Sequence, residues 1–138
     1  MSNVDREELY FDGIAPAVSH YTHAVRFGNL LYVSGLVGLD ADLKVVSSDV
    51  VIQTRKIFDD LSLIMRRVGA DFSNVLKVTV YLTDVNDRVK INPVRQEYFG
   101  RWRPASTLIG IGALVVPELK VEIEAVVGIP ERSRDSSA

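Results

Sequence analysis

The sequence has no cysteine and no excess of positive charge. Without cysteine, the 138-residue chain can form no disulfide, no thiolate nucleophile and no zinc site with sulfur ligands. Its formal net charge of −2 leaves no surplus of cations to neutralise a phosphate backbone, so nucleic acid is not expected as the main partner. Any chemistry must therefore use oxygen, imidazole or guanidinium groups.

Long hydrophobic segments are missing too. The longest apolar runs, LLYV and GIGALVVP, fall far below the roughly 20 residues of a membrane-spanning helix, so no membrane partner is expected. The start, MSNVDREELYF, lacks the basic and apolar parts of a secretory signal, which predicts a cytoplasmic location. The length predicts one domain over 1–130, and the polar segment 131–138 predicts a disordered tail.

Turn residues and hydrophobic spacing predict the first half of the fold. The Gly28-Asn29 pair lies between two short apolar runs and predicts a β-hairpin over 23–34, because these residues tolerate positive φ. Apolar residues then recur at three- and four-residue steps over 50–68, the spacing of an amphipathic helix. Ser48 or Asp49 is expected to cap the start of that helix, and Gly69 is expected to end it.

A strand and a second helix are predicted next. Apolar and polar residues alternate in VLKVTVYLTD, which predicts a strand with one buried face. Pro93 predicts a helix mainly over 93–99 with a turn before it, because proline inside a helix removes a hydrogen bond. The buried face of the strand is predicted to hold Leu76, Val78, Val80 and Leu82.

The last part of the chain is β-prone. STLIGIGAL contains Gly110 and Gly112, which predict a bend or the close approach of another backbone. KVEIEAVVGI alternates again and predicts a final strand. Near the start, the Tyr10-Phe11 pair predicts a short edge strand.

These elements predict an α+β fold. Two amphipathic helices and a mixed sheet with one apolar face pack most simply as a two-layer sandwich, with both helices on that face. The other face would carry Tyr81 and Val126 and be only partly polar. We therefore expect the chain to associate through this second face into a closed oligomer.

Several segments, in their order and spacing, resemble the Rid family, also called YjgF-like or L-PSP proteins. The best-known members hydrolyse reactive enamine and imine intermediates to keto acids and ammonia. The resemblance implies a chorismate-mutase-like fold, a homotrimer whose sheets form an inner barrel, and small-molecule clefts between subunits that need no cofactor or metal. It is carried by HYTHAVRFGNLLYVSG, QTRKIFDDLSLIMRRVGA, NVLKVTVYLTDVNDRVKINPVRQEYFG, RPAST and VEIEAV.

The resemblance also implies site residues. By position, the family's cleft tyrosine, serine, amide and acidic residue correspond to Tyr21, Ser34, Asn92 and Glu122. Ser106 departs from the pattern, because deaminase members carry an arginine there that grips the substrate carboxylate. A hydroxyl cannot replace a bidentate guanidinium.

Two functions follow from this departure. The first is a small-molecule hydrolase of the enamine/imine deaminase type whose substrate is not a standard 2-imino acid. The second is a non-catalytic trimeric protein that binds a small metabolite, and an endoribonuclease ranks last. Arg101 or Arg103, which flank Trp102 near Ser106, would replace the missing charge or else be solvated surface residues; Arg103 is taken as substrate-binding.

Structural roles compete with the functional ones. Glu122 would activate water, or it would be a solvated strand carboxylate like Glu124. Asn92 would contact ligand or cap a helix that begins at Pro93. Ser34 lies outside any G-x-S-x-G motif, so a ligand-contacting or strand-end serine is expected rather than a nucleophile.

The two histidines of the chain are His20 and His23. They are three residues apart and have no acidic residue close by in the sequence. This pattern does not favour a metal site, and both are expected to be surface or interface residues.

Overall fold

A computed structural model describes residues 5–131, which form a six-stranded mixed sheet with two helices packed against one face. The sheet order is β1-β2-β3-β6-β4-β5; β4 and β5 are parallel and the other neighbours are antiparallel. This confirms the α+β class, the mixed sheet and the two helices. The strands are β1 Arg6–Leu9, β2 Ala24–Phe27, β3 Leu30–Val37, β4 Val75–Leu82, β5 Ala105–Gly110 and β6 Val121–Gly128; the helices are α1 Val50–Arg66 and α2 Arg88–Phe99.

Helix α1 begins and ends close to residues that the sequence marks as helix boundaries. The Asp49 carboxylate accepts a hydrogen bond from the Val51 N–H at 2.8 Å and caps the amino end. Gly69 follows the carboxyl end with φ of +72°, a conformation that favours glycine. Ile57, Phe58 and Leu61 are buried against the sheet. The predicted helix is confirmed, with its end two residues earlier than the sequence spacing indicated.

The hairpin is confirmed as β2 and β3, which turn at Gly28 with φ of +61°. The predicted edge strand is displaced. β1 lies at Arg6–Leu9, whereas Phe11 enters the core and Tyr10 is exposed. In β5, the group that approaches Gly110 is the Val85 side chain rather than a backbone, since a Cβ there would lie 2.5 Å from Val85 Cγ1.

The prediction that Leu76 lies on the buried face of β4 is wrong. Leu76 is 50% exposed, whereas Val75 is buried. The pairing of β4 with β6 shifts between Val75 and Lys77, and such a bulge turns the intervening side chain away from the core. From Val78 onward the predicted alternation is confirmed.

The second helix begins earlier than Pro93 predicts. It runs from Arg88, directly after a 3₁₀ turn at Val85–Asp87, and contains Pro93. The hydrogen bond that proline removes would have ended on the carbonyl of Val89, an exposed residue, so water can replace it. Burial of Ile91, Val94 and Phe99 holds the helix against α1 and the core.

Gln53 joins α1 to two loops. Its side chain is fully buried, and Nε2 donates to the carbonyls of Ser47 at 2.8 Å and Glu118 at 3.1 Å. Its Oε1 accepts from the Lys120 N–H at 2.9 Å. The segment that leads into β6 is therefore fixed to α1 through one amide.

The described residues bear on two further expectations. Within residues 5–131 no helix has both the length and the apolar character needed to cross a membrane. Except for Glu131, the predicted tail lies outside the described residues.

Candidate functional site

The site residues predicted from the sequence line two separate clefts of the chain. The first, which we call the Glu122 cleft, has a volume of about 370 Å³ and includes Tyr21, Ser34 and Glu122. The second, the Arg95 cleft, has a volume of about 600 Å³ and includes Asn92, Arg95, Arg103 and Ser106. Within one chain, Glu122 does not share a cleft with Asn92 and Ser106.

Glu122 lies on β6, between Val37 of β3 and Tyr81 of β4, on the sheet face opposite the helices. Its carboxyl group extends over Gly35, where any Cβ would overlap Oε2 of Glu122. Gly35 thus makes the space that the carboxylate occupies. The side chain is half-buried, and loss of solvent raises the pKa of Glu122 above its ordinary value, with a further rise from the charge of Glu124.

A bulge in β3 shapes the wall beside Glu122. Val33 pairs with Ala125 and Leu36 with Ile123, so Ser34 and Gly35 together face the single residue Glu124. The extra residue turns Ser34 toward the preceding loop, where its Oγ donates to the carbonyl of Thr22 at 2.6 Å. Ser34 therefore fixes the cleft wall, and its hydroxyl remains part of the lining.

Tyr21 forms the outer rim of the Glu122 cleft and is 47% exposed. The rest of the lining is largely apolar. The polar groups of the cleft are therefore few, which suits a small ligand held by a few hydrogen bonds. The apolar members of the lining are Ile14, Ala15, Pro16, Val18, Leu36, Val37, Leu39, Leu43 and Val115.

The expectation for His23 is wrong, because this residue is buried at 6% exposure. Its Nδ1 accepts from the Phe11 N–H at 2.9 Å, which leaves Nε2 to donate to the Ala15 carbonyl at 2.8 Å. His23 thus joins the two ends of the segment that borders the Glu122 cleft. His20 is exposed, as expected for a surface residue.

Glu124 has a different environment from Glu122. It is exposed, and its Oε1 accepts a hydrogen bond from the Tyr81 hydroxyl at 3.2 Å. Partial burial, followed by the negative charge of Glu124, raises the pKa of Tyr81. Glu124 thus has the environment of a solvated strand carboxylate, whereas the Glu122 side chain is half-buried.

Helix α2 and β5 form the Arg95 cleft. The Arg95 guanidinium donates from Nη2 to Ser106 Oγ at 2.9 Å. Asn92 lies inside α2, about one turn before Arg95. The alternative in which Asn92 caps a helix that begins at Pro93 is therefore wrong. The remaining lining residues are Gln96, Phe99, Gly100, Trp102, Arg103 and Pro104.

The loop arginines differ in their contacts. The Arg101 guanidinium stacks over the Trp102 ring at 4.4 Å from its centroid, whereas Arg103 is exposed and lines the cleft. The sequence does not single out Arg95, because a helix that begins at Pro93 is too short to show which residues share one face. Extending the helix backward would have placed Asn92, Arg95, Gln96 and Phe99 on one face.

Metal ligands are not grouped in this part of the molecule. Across residues 5–131 there is no set of three or more histidine and acidic side chains arranged to hold a metal ion. The Glu122 cleft offers a carboxyl group and the Ser34 and Tyr21 hydroxyls, whereas the Arg95 cleft offers amide, hydroxyl and guanidinium groups.

Comparison with known proteins identifies the family. The family model described as Endoribonuclease L-PSP matches residues 13–129. The chain belongs to the Rid, or L-PSP, family. This Rid protein is 34% identical over 122 residues to a RutC family protein of Pyrococcus abyssi, across 87% of this chain and 95% of the other.

Other relatives of this Rid protein carry more specific names. It is 34% identical over 127 residues to the 2-iminobutanoate/2-iminopropanoate deaminase of Mus musculus, across 91% of this chain and 93% of the mouse protein. RidA of an Antarctic Psychrobacter superposes with a TM-score of 0.83 at 28% identity, across 89% of this chain and 99% of that one. Imine deaminases are therefore among the relatives of this Rid protein.

Proposed function

We propose that this Rid protein hydrolyses the C=N bond of a small imine, or of the tautomeric enamine, in a cleft between subunits of a homotrimer. The half-buried carboxyl of Glu122 carries the proposal, because it lies in a largely apolar cleft with a raised pKa. When ionised, a carboxyl group in such a place accepts a proton more readily than an ordinary glutamate does, which suits proton exchange with a bound water. The imine deaminases among its relatives support the same reaction.

An oligomer would complete the site. Apolar side chains are exposed on the sheet face opposite the helices, among them Phe27 at 57%, Tyr32 at 48% and Ile109 at 40%. Such a face favours association with a second sheet. In the trimer we propose, the Glu122 cleft of one subunit adjoins the Arg95 cleft of its neighbour, which would bring Tyr21, Ser34 and Glu122 to the same ligand as Asn92, Arg103 and Ser106.

The proposed reaction needs one positioned water and a carboxylate that accepts a proton and later returns it. The imine nitrogen takes up a proton from solvent, and Glu122 accepts a proton from water while the water oxygen bonds to the imine carbon. Glu122 then returns its proton to the nitrogen of the carbinolamine, the C–N bond breaks as ammonia leaves, and the hydroxyl oxygen releases its proton to solvent as the carbonyl forms. Water and imine thus yield a carbonyl compound and ammonia, without cofactor, through positioning and electrostatics.

Position 106 bears on the substrate. The resemblance implies that deaminase members have an arginine on β5 that grips the substrate carboxylate, and Ser106 lacks that guanidinium. We therefore propose that the substrate is not a standard 2-imino acid held by an arginine of β5. The same observation favours the second candidate, a trimeric protein that binds a metabolite without hydrolysing it. Retention of Glu122 in a desolvated cleft favours the enzyme over the binding protein.

A panel of imines tests the proposal. Each imine is generated in solution, with or without a carboxylate next to the C=N carbon, and ammonia release is measured with and without protein. We expect the protein to accelerate ammonia release from at least one member above the spontaneous rate. Binding of carbonyl products without any acceleration would instead establish the metabolite-binding protein.

The acid limb of the pH–rate profile should depend on Glu124. Because the Glu124 charge helps to raise the pKa of Glu122, Glu124→Gln should lower that pKa. A base must be ionised, so activity falls as the pH drops through the Glu122 pKa, and the variant should keep activity to lower pH. The measurement is kcat/KM against pH, with Glu7→Gln on β1 as the control. A limb that moves equally in both variants, or in neither, contradicts the assignment.

A further inference from the structure

Arg95 is a partly buried charge that no carboxylate of the described residues pairs with. Its side chain is half-buried, and loss of solvent lowers the pKa of Arg95 below its ordinary value. None of the salt bridges formed among residues 5–131 includes it. A guanidinium held away from water without a carboxylate is costly, and an anionic ligand would remove that cost.

The hydrogen bond to Ser106 fixes the guanidinium and leaves it able to bind. It uses one N–H group of Nη2, whereas arginine has five N–H donors arranged as a planar fork. A serine accepts this bond without adding charge. Ser106 thus holds Arg95 beside the position from which the resemblance implies an arginine on β5.

The rest of the lining suits a small acid. The Asn92 and Gln96 side chains add amide donors, and the Trp102 and Phe99 rings add apolar walls. Acidic side chains are not part of this lining, so nothing in it opposes an anion. The field in the cleft is therefore positive, with Arg95 as its partly desolvated source and Arg103 as an exposed one.

We propose that Arg95, held by Ser106, binds the carboxylate of the ligand in place of an arginine at position 106. The proposal rests on the proposed function for the identity of the cleft, although not on hydrolysis itself. It predicts a substrate that is a small carboxylic acid whose carboxylate pairs with α2 rather than with β5. The bidentate fork of a guanidinium matches a carboxylate and gives the site its selectivity.

Calorimetric titration of the full-length protein tests this assignment. The probes are 2-oxobutanoate, a small keto acid, and its neutral methyl ester. We expect Arg95→Gln to weaken binding of the acid by about tenfold or more while leaving ester binding nearly unchanged. Arg95→Lys should recover only part of the affinity, because an ammonium group lacks the planar fork. Arg88→Gln, which removes an exposed charge from the same helix, is the matched control and should bind both probes like the wild type.

A double variant separates binding from folding. Arg95→Gln with Ser106→Arg returns a guanidinium to the cleft from β5 and should restore affinity for the acid. A loss caused only by misfolding would persist in the double variant, and thermal melting of each variant identifies it directly. Restored affinity supports the proposal, whereas a folded double variant that still fails to bind overturns it.

The remaining outcomes are decisive in the same way. The proposal is wrong if the wild type binds acid and ester equally, if Arg95→Gln binds the acid like the wild type, or if Arg103→Gln alone removes binding. The proposed function fails separately. If the acid binds in an Arg95-dependent way but no ammonia is released, the proposed hydrolysis is wrong and the role of Arg95 is supported. If ammonia is released and Arg95→Gln has an unchanged KM, hydrolysis is supported and the role of Arg95 is wrong.

Discussion

Glu122→Gln is expected to reduce enzyme-dependent ammonia release by about 10²- to 10⁴-fold, the range that a positioned general acid–base contributes. Glutamine keeps the shape of the side chain over Gly35 but can neither accept a proton from water nor return it to nitrogen. The measurement is the initial rate of ammonia release from the best imine of the panel. Glu124→Gln, two residues along the same strand face, is the matched control and should stay within about threefold of the wild type near neutral pH, because only the Glu122 pKa changes.

The same substitution should not weaken the fold. Loss of solvent raises the Glu122 pKa, which means that ionised Glu122 is less favourable in the folded state than in the unfolded chain. Above the ordinary pKa of glutamate this difference destabilises the protein, so the neutral amide should give an equal or higher melting temperature at pH 7. A strongly lowered melting temperature would assign Glu122 a structural role, and full activity in Glu122→Gln would remove it from the chemistry.

Gln53→Leu is expected to lower the free energy of unfolding by about 2–4 kcal/mol, since it leaves several partly buried backbone groups without partners. Leucine fills similar space but cannot accept from the Lys120 N–H or donate to the carbonyls of Ser47 and Glu118. Urea unfolding at neutral pH measures the change. Gln96→Leu, which replaces an exposed amide on α2, should alter the free energy of unfolding by about 0.5 kcal/mol or less.

The Gln53 variant also links stability to the site. The lost hydrogen bonds hold the segment just before β6, and Glu122 is the second residue of that strand. Ammonia release should therefore fall in Gln53→Leu even at temperatures where the protein remains folded. Equal losses of stability in Gln53→Leu and Gln96→Leu would mean that the three hydrogen bonds contribute little.

Local signals predicted the elements that depend on local physics. Asp49 and Gly69 bracket α1 because a cap and a positive φ act within a few residues of the helix end. The predictions made from Leu76 and Pro93 were wrong, because the burial of Leu76 and the start of α2 depend on contacts with other parts of the fold. A bulge against β6 exposes Leu76, and core contacts of Ile91 hold a helix that Pro93 alone would shorten.

The candidate site was predictable to a similar degree. Motif order pointed to Tyr21, Ser34 and Glu122, and the fold gathers these three at one cleft. Arg95 followed from no motif, because its environment depends on how far α2 extends and on β5 crossing beside it. The separation of Asn92 and Ser106 from Glu122 was likewise beyond sequence patterns, since Ser106 and α2 lie on the helix side of the sheet and Glu122 lies on the other face.

The sheet order dictates when the Glu122 cleft can be assembled. β6 comes after the other five strands along the chain, yet it lies in the middle of the sheet, between β3 and β4. Leu30 must pair with Gly128 across most of the described sequence, a long-range pairing of the kind that folds slowly. A nascent chain that has emerged only as far as β5 has two separate groups of strands and no site. Glu122 can therefore meet Gly35 only after β6 has been synthesised and has entered the sheet between β3 and β4.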